Sequence, residues 1–177
     1  RRPPPGLGGG GGAVTMREDW DRLPPGVSTG GGLAIREIRD DDDLWFATAE
    51  CALAPGQEEL VNPAGFDIGR AYLNPADNVP CVICLEDGTR IGFIVFRMWL
   101  AAGTAYSWGY HLDRNWQGRG YGERAARLAI RILKAMGGDM PIKLSAEVEN
   151  TRAQRLYERI GFHRLDELDG DDLVFGL

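Results

Sequence analysis

Histidine and cysteine are scarce in this chain of 177 residues, which has two of the first and three of the second. A structural zinc site takes about four Cys or His ligands, so that class is disfavoured at the outset. Cys51, Cys81 and Cys84 include a C-x-x-C pair. That pair falls in a strand-like stretch, where residues three apart point to opposite faces and cannot share a metal. The thiols read as buried and reduced, packing as small hydrophobes. No apolar run approaches the ~18 residues that cross a bilayer, and the first residues lack the charged, apolar, small-residue order of a secretory signal, so the cytoplasm is the expected compartment. Positive charge is not in excess either. The 20 Lys and Arg face 26 Asp and Glu, for a net charge of -6. That balance argues against nucleic acid as a general partner and suits a cationic small molecule better.

What the chain does have is a 44% hydrophobic and 26% charged composition, enough apolar material for one domain with a core. Residues 1–32 open on RRPPPGLGGGGG and run to STGGG. A Pro/Gly-rich stretch of this kind buries too little apolar surface to offset its ordering entropy, so disorder is expected there and the folded domain is expected over residues 33–177. Leu33, Ile35 and Ile38 predict a strand, and the acidic run Asp40 to Asp43 ahead of Leu44, Trp45 and Phe46 predicts a helix start. Residues 53–79 carry several Pro and Gly and read as irregular, with a short helix near 66–72. Two strands, 79–85 and 91–99, flank Asp87-Gly88, a hairpin signal. A third, 104–112, alternates Tyr106, Trp108, Tyr110 and Leu112 on one face. The best helix spans 123–136, with Ala125, Leu128, Ala129, Ile132, Leu133 and Met136 on one stripe and Gly137-Gly138 as its stop. A strand at 142–146, a helix at 151–160 with Thr151 and Gln154 spaced as a capping box, and a closing hairpin turning at Asp169-Gly170 complete the reading. The acidic runs at 40–43 and 166–172 are expected to be solvated surface.

The informative stretch is His111-Leu112-Asp113-Arg114-Asn115-Trp116-Gln117-Gly118-Arg119-Gly120-Tyr121-Gly122, between a strand and the best helix. Glycines at alternate positions let backbone approach a ligand closely, and the start of the following helix offers unpaired N–H groups and the positive end of its dipole. Such a loop cradles a diphosphate. A dinucleotide fingerprint would need a third Gly where Glu123 stands. A P-loop would need Lys followed by Ser or Thr where Glu123-Arg124 stands.

The loop Gln117-x-x-Gly120-x-Gly122 resembles the pyrophosphate motif Q/R-x-x-G-x-G/A of the GNAT superfamily of N-acetyltransferases. Asn150 through Phe162 resembles the second signature of that superfamily, N-x-x-A-x-x-L-Y-x-x-x-G-F, in the right order and at the right distance. The resemblance implies an α/β, GNAT-like (acyl-CoA N-acyltransferase) fold with a central mixed, mostly antiparallel sheet and helices on both faces. It also implies an acyltransferase that uses acetyl-CoA as co-substrate. The cofactor-binding residues it implies are Gln117, Gly118, Arg119, Gly120, Tyr121 and Gly122 through their backbone N–H groups, Tyr110 and Leu112 through the main chain, and Asn150 through its side chain. Tyr157 would be the general acid that protonates the leaving thiolate.

The acceptor amine must lose a proton before or during attack, since a lysine-like ammonium titrates at about 10.4. Many relatives carry a Glu on the strand before the loop, where this chain has Trp108. Glu147, Glu149, His111 and a water relay are the alternatives, and Glu147 is taken as part of base or amine recognition. The run W-x-Y-x-L-D and the A-E-x-E-N approach to the second helix are most similar to bacterial diamine and polyamine (spermine/spermidine) acetyltransferases. Aminoglycosides, amino acids and protein N-termini remain open as acceptors, as does a CoA-binding regulatory domain without turnover. The expected partner is a small-molecule amine, with no nucleic acid, membrane or metal, and the resemblance leaves room for a homodimer.

Overall fold

A computed structural model describes residues 14–99 and 104–177. Five antiparallel strands form the main sheet in the order β1 (Thr29–Gly30), β2 (Leu33–Glu37), β3 (Asn78–Leu85), β4 (Arg90–Trp99) and β5 (Ala105–Leu112). Each strand follows its neighbour through a hairpin or a helical excursion, so register is set locally and the sheet is antiparallel throughout. A second antiparallel sheet has β8 (Asp172–Gly176) between β6 (Lys143–Ala146) and β7 (His163–Asp169). A single parallel bridge, Tyr106 to Ile142, joins the two sheets, and the Tyr106 N–H donates to the Pro141 carbonyl at 2.8 Å. Beyond it β5 and β6 separate.

Two helical layers cover the main sheet. The long helix α4 (Tyr121–Gly137) buries Ala125, Leu128, Ala129, Ile132, Leu133 and Met136 against Ile35, Cys81, Ile83, Ile94, Phe96, Tyr106 and Trp108. The helical stripe therefore meets the strand alternation as expected. On the other face, α2 (Asp41–Trp45), the π-helical turn Phe46–Glu50 and α3 (Ala64–Leu73) pack Phe46, Ala47 and Ala64 on Val82, Cys84, Phe93 and Val95. Cys81 and Cys84 thus lie on opposite faces, and burial raises both thiol pKa values. Among the described residues no helix is long and apolar enough to cross a membrane.

The segment expected to be disordered departs from that reading over residues 14–32; residues 1–13 lie outside the described residues. Met16–Asp21 form α1, started by a reciprocal capping box in which the Thr15 hydroxyl accepts from the Glu18 N–H and the Glu18 carboxylate accepts from the Thr15 N–H. Met16 is fully buried, Trp20 packs its ring 5.4 Å from Phe96, and the Tyr106 hydroxyl donates to Asp19. Arg17 grips Glu37 with two hydrogen bonds of 2.9 and 2.7 Å. A few well-aimed contacts offset an ordering cost that composition alone judged too large.

Two smaller expectations also change. Asp43 is buried rather than solvated, held by Arg36 and Arg90, with its carboxylate also accepting from the Arg39 N–H at 3.3 Å. Burial by itself would raise the Asp43 pKa, but the two guanidinium donors outweigh it and hold the group near about 2. The last helix, α5 (Thr151–Arg159), is capped by Asn150, whose side chain accepts from the Ala153 N–H at 3.1 Å. Gln154 turns back to the carbonyls of Glu147 and Val148 instead of completing a box with Thr151.

Met16→Ala is expected to lower unfolding free energy by about 2–4 kcal/mol in denaturant melts, as a fully buried Met does; a change within error would mean α1 is peripheral. Asp43→Asn is expected to cost about 2–3 kcal/mol near neutral pH, because two cations lose their counter-ion. Asp43 is depressed in the fold, so its stabilisation is present above the unfolded carboxylate range and is lost as pH falls toward about 2. Wild type and variant should therefore converge in acid, which melts at stepped pH would reveal.

Candidate active site

The separation of β5 from β6 opens a cleft of about 1830 Å³ across the end of the sheet. The Tyr106 N–H points at the β6 side, so by strand alternation the main-chain groups of Trp108 and Tyr110 face the same gap, where β6 no longer pairs with them. Tyr110 and Leu112 line the cleft. The Leu112 carbonyl already accepts from Gln117 Nε2 at 3.0 Å, which folds the loop back on the strand end. Trp108 is wall and core at once, edge-on to Phe162 at 5.8 Å, and its indole N–H is a buried donor without a partner among the described residues.

The loop is built from Asp113 upward. This buried aspartate caps the 3-10 turn Arg114–Trp116 by accepting from the Asn115 N–H at 2.9 Å, and its other oxygen accepts from the Ala52 N–H at 3.0 Å. Arg114 N–H in turn donates to the Ala52 carbonyl at 2.7 Å. Gln117 and Gln57 exchange side-chain amide hydrogen bonds of 2.9 and 3.1 Å. The chain then turns through Gly118 and Gly120 with φ of 74° and 84°, which only glycine adopts without strain. It enters α4 with Gly120 as an N-cap that supplies no side-chain bond. Tyr110 Oη donates to the Gly122 carbonyl at 3.0 Å and fixes the helix start against the strand.

Among the described residues no protein acceptor serves the backbone N–H groups of residues 117–122. A Cβ on Gly118 or Gly120 would meet open space. A loop of unspent donors at the positive end of a four-turn helix fits a diphosphate. Arg119 lies over the Trp116 ring at 5.0 Å and Arg124 over Tyr121 at 5.2 Å, leaving cationic edges beside it. Across the cleft, Asn150 and Tyr157 are brought to the same gap from α5. Tyr157 packs its ring on Phe162 and Phe175, at 6.0 and 5.6 Å, and its hydroxyl has no hydrogen-bond partner among the described residues. Burial raises its pKa to about 12, so it keeps its proton at neutral pH, with Arg97 pulling weakly the other way.

Residues 35–162 match the acetyltransferase (GNAT) family. The chain belongs to that family. As a GNAT acetyltransferase the domain is of the acetyl-CoA-dependent acyltransferase type, and the glycine loop and the unpaired edge of β5 suit that co-substrate. It is 36% identical over 88 residues to the mycothiol acetyltransferase of Beutenbergia cavernae, a match covering 47% of this chain and 29% of that protein; the chain thus spans under a third of its relative's length. Its fold is shared with the spermidine N-acetyltransferase of Vibrio cholerae bound to CoA and spermine, at a TM-score of 0.61 and 15% identity over 83% of this chain and 94% of that one. It is shared also with the aminoglycoside acetyltransferase AAC(6')-Ib bound to coenzyme A and kanamycin, at a TM-score of 0.64 and 20% identity over 81% of this chain and 92% of that one.

The far half of the cleft was less legible. Register pairs Phe93 with His111, Val95 with Gly109 and Arg97 with Ser107, so these residues share the face opposite α4. The His111 ring packs at a tilt on Phe93, centroids 5.8 Å apart, and burial lowers its pKa, with Asp113 opposing. Glu147, at the end of β6, also lines the cleft, whereas Glu149 does not. Asp67 and Arg97, both walls of this half, went unnoticed in the sequence, where a lone Asp in a Pro/Gly-rich region and an Arg inside a strand give no signal. The Asp169–Gly170 turn, expected as plain surface, reaches the rim.

Gly120→Ala puts a Cβ on a left-handed residue, at a cost of about 1–2 kcal/mol. We expect CoA affinity to drop about tenfold by calorimetry with only a small fall in melting temperature; unchanged affinity would mean the loop does not hold the ligand.

Proposed function

We propose that the domain transfers the acetyl group of acetyl-CoA to a primary amine of a small acceptor by direct attack in a ternary complex. The observation that carries this reading is the meeting, in one cleft, of the unspent N–H groups of residues 117–122 with a protonated, unpartnered Tyr157 hydroxyl. The loop holds the diphosphate, the exposed main chain of Trp108 and Tyr110 pairs with the extended arm as a strand would, and the Asn150 amide group not used in capping reaches the same arm. The amine nitrogen bonds to the thioester carbon, the C–S bond breaks, and Tyr157 donates its proton to the departing sulfur.

For the amine's proton, support is strongest for His111. It lies on the acceptor face, and its lowered pKa keeps the imidazole neutral and able to accept at neutral pH. Glu147 stands on the opposite bank and suits recognition of the ammonium form. No cysteine lines the cleft, which agrees with transfer without a covalent enzyme intermediate. The acidic groups Glu59, Asp67, Asp169 and Asp171 along the acceptor half favour a cationic acceptor, and diamines and polyamines satisfy that side of the requirement.

Tyr157→Phe is expected to cut kcat by about 100-fold or more while CoA affinity stays within a factor of two, read by thiol release and calorimetry. With His111 as base, kcat at saturating substrate should fall on acidification in wild type and in Glu147→Gln, with a limb below the ordinary histidine range because burial lowers the His111 pKa and protonation removes the acceptor lone pair. Loss of that acidic limb in His111→Gln supports the assignment; its survival there would transfer the role elsewhere.

A further inference from the structure

The acceptor half holds a cation, Arg97, that has no hydrogen bond among the described residues. Arg97 projects from β4 over Gly109, so close that a Cβ there would meet its Nη2 at 3.3 Å. Its side chain is about three-quarters buried, at 26% exposure, and its nearest carboxylate, Asp67, stands 4.0 Å away, beyond hydrogen-bonding distance. Asp67 is itself occupied, accepting from Asn62 Nδ2 at 3.3 Å. Among the described residues no acceptor takes any of the five donors of the Arg97 guanidinium. A second arginine, Arg70, lines the same wall from α3, its guanidinium 5.9 Å over the Phe66 ring.

The guanidinium is largely withdrawn from water, its nitrogens still open to the cleft, and a carboxylate at 4.0 Å makes no hydrogen bond to it, so an acceptor arriving in the cleft would be favoured there. The contrast with Asp43 is instructive: there Arg36 and Arg90 are about as buried, yet each is bonded directly to the carboxylate. Arg97 has room for such a partner, since its open side is the cleft. The planar fork of arginine matches a carboxylate through two parallel hydrogen bonds. Desolvation lowers the Arg97 pKa, with Asp67 opposing and Arg70 adding to the strain, and an arriving anion would relieve it. A bare diamine would bring only more positive charge to this wall.

We infer that the acceptor is a small amino acid-like molecule, carrying a carboxylate that pairs with Arg97 as well as the primary amine that is acetylated. The inference rests on the acetyltransfer reading above and narrows it. It also reconciles the two charges of the acceptor half. Asp67, Glu147 and the rim acids suit ammonium groups, and Arg97 suits the carboxylate, so a diamino acid uses both. Because Arg97 lies within electrostatic reach of Tyr157, the carboxylate is held beside the reacting centre.

The test compares diamines with and without a carboxylate on the same skeleton: lysine against cadaverine, and ornithine against putrescine. Turnover is followed by CoA release, and binding by titrating each acceptor into the preformed CoA complex. The expected result is kcat/KM about tenfold to a hundredfold higher for the amino acid in at least one pair, the range of a hydrogen-bonded charge pair. In Arg97→Gln that ratio should shrink toward one, with CoA affinity unchanged. Equal or better use of the bare diamines by wild type overturns the inference while leaving acetyl transfer standing. So does a uniform loss for all acceptors in Arg97→Gln, or binding of neither member of either pair. Failure of the protein to bind CoA at all would instead remove the reading beneath it. The wild-type comparison decides even if the variant does not fold.

Discussion

Everything in the cleft depends on two parallel strands that touch once and then part. Among the described residues Tyr106 and Ile142 make the only bridge between the sheets, and past it no described strand lies beside the edge of β5. A buried sheet edge is normally satisfied by pairing. Here it is left to line a groove, and an extended ligand can take the vacant strand's position. The glycine loop stands at the head of that groove because β5 runs straight into it, and α4 carries the loop's N–H groups because it packs along the same strand. Asp113, tied to Ala52 and Asn115, holds the turn in place from below.

The two faces of β5 divide the labour. Alternation sends Tyr106, Trp108 and Leu112 into the core under α4, where they fix the strand, and sends Ser107, Gly109 and His111 to the opposite side with Phe93 and Arg97. In the proposed reading the cofactor end is therefore assembled largely from backbone and the acceptor end from side chains. Structures that share this fold contain spermine in one case and kanamycin in another. A protonated Tyr157 can face both ends because its ring is clamped by Phe162 and Phe175.

The cofactor end was readable in the sequence because glycine spacing and helix periodicity are local: Gly118, Gly120 and the Ala125 to Met136 stripe announce themselves within a few residues. The acceptor end is built by distant partners. Nothing near Arg97 in the chain predicts Asp67, and nothing in the acidic run 40–43 predicts that Asp43 alone turns inward to meet Arg36 and Arg90. The N-terminal segment was misjudged for another reason. Composition averaged over 32 residues hid Thr15-x-x-Glu18, a capping box whose local signal outranks the surrounding glycines. Asn150 takes the cap of the last helix, the common job of Asn before a helix, and the Thr151 and Gln154 spacing forms no box beside it.

In the proposed reading the free amides of the loop and of the β5 edge seat the coenzyme. Amide hydrogen exchange with and without CoA reads those amides one by one. Slowed exchange is expected in residues 117–122 and around Trp108 and Tyr110, with little change in β7. Exchange in the loop that is indifferent to saturating CoA would contradict it.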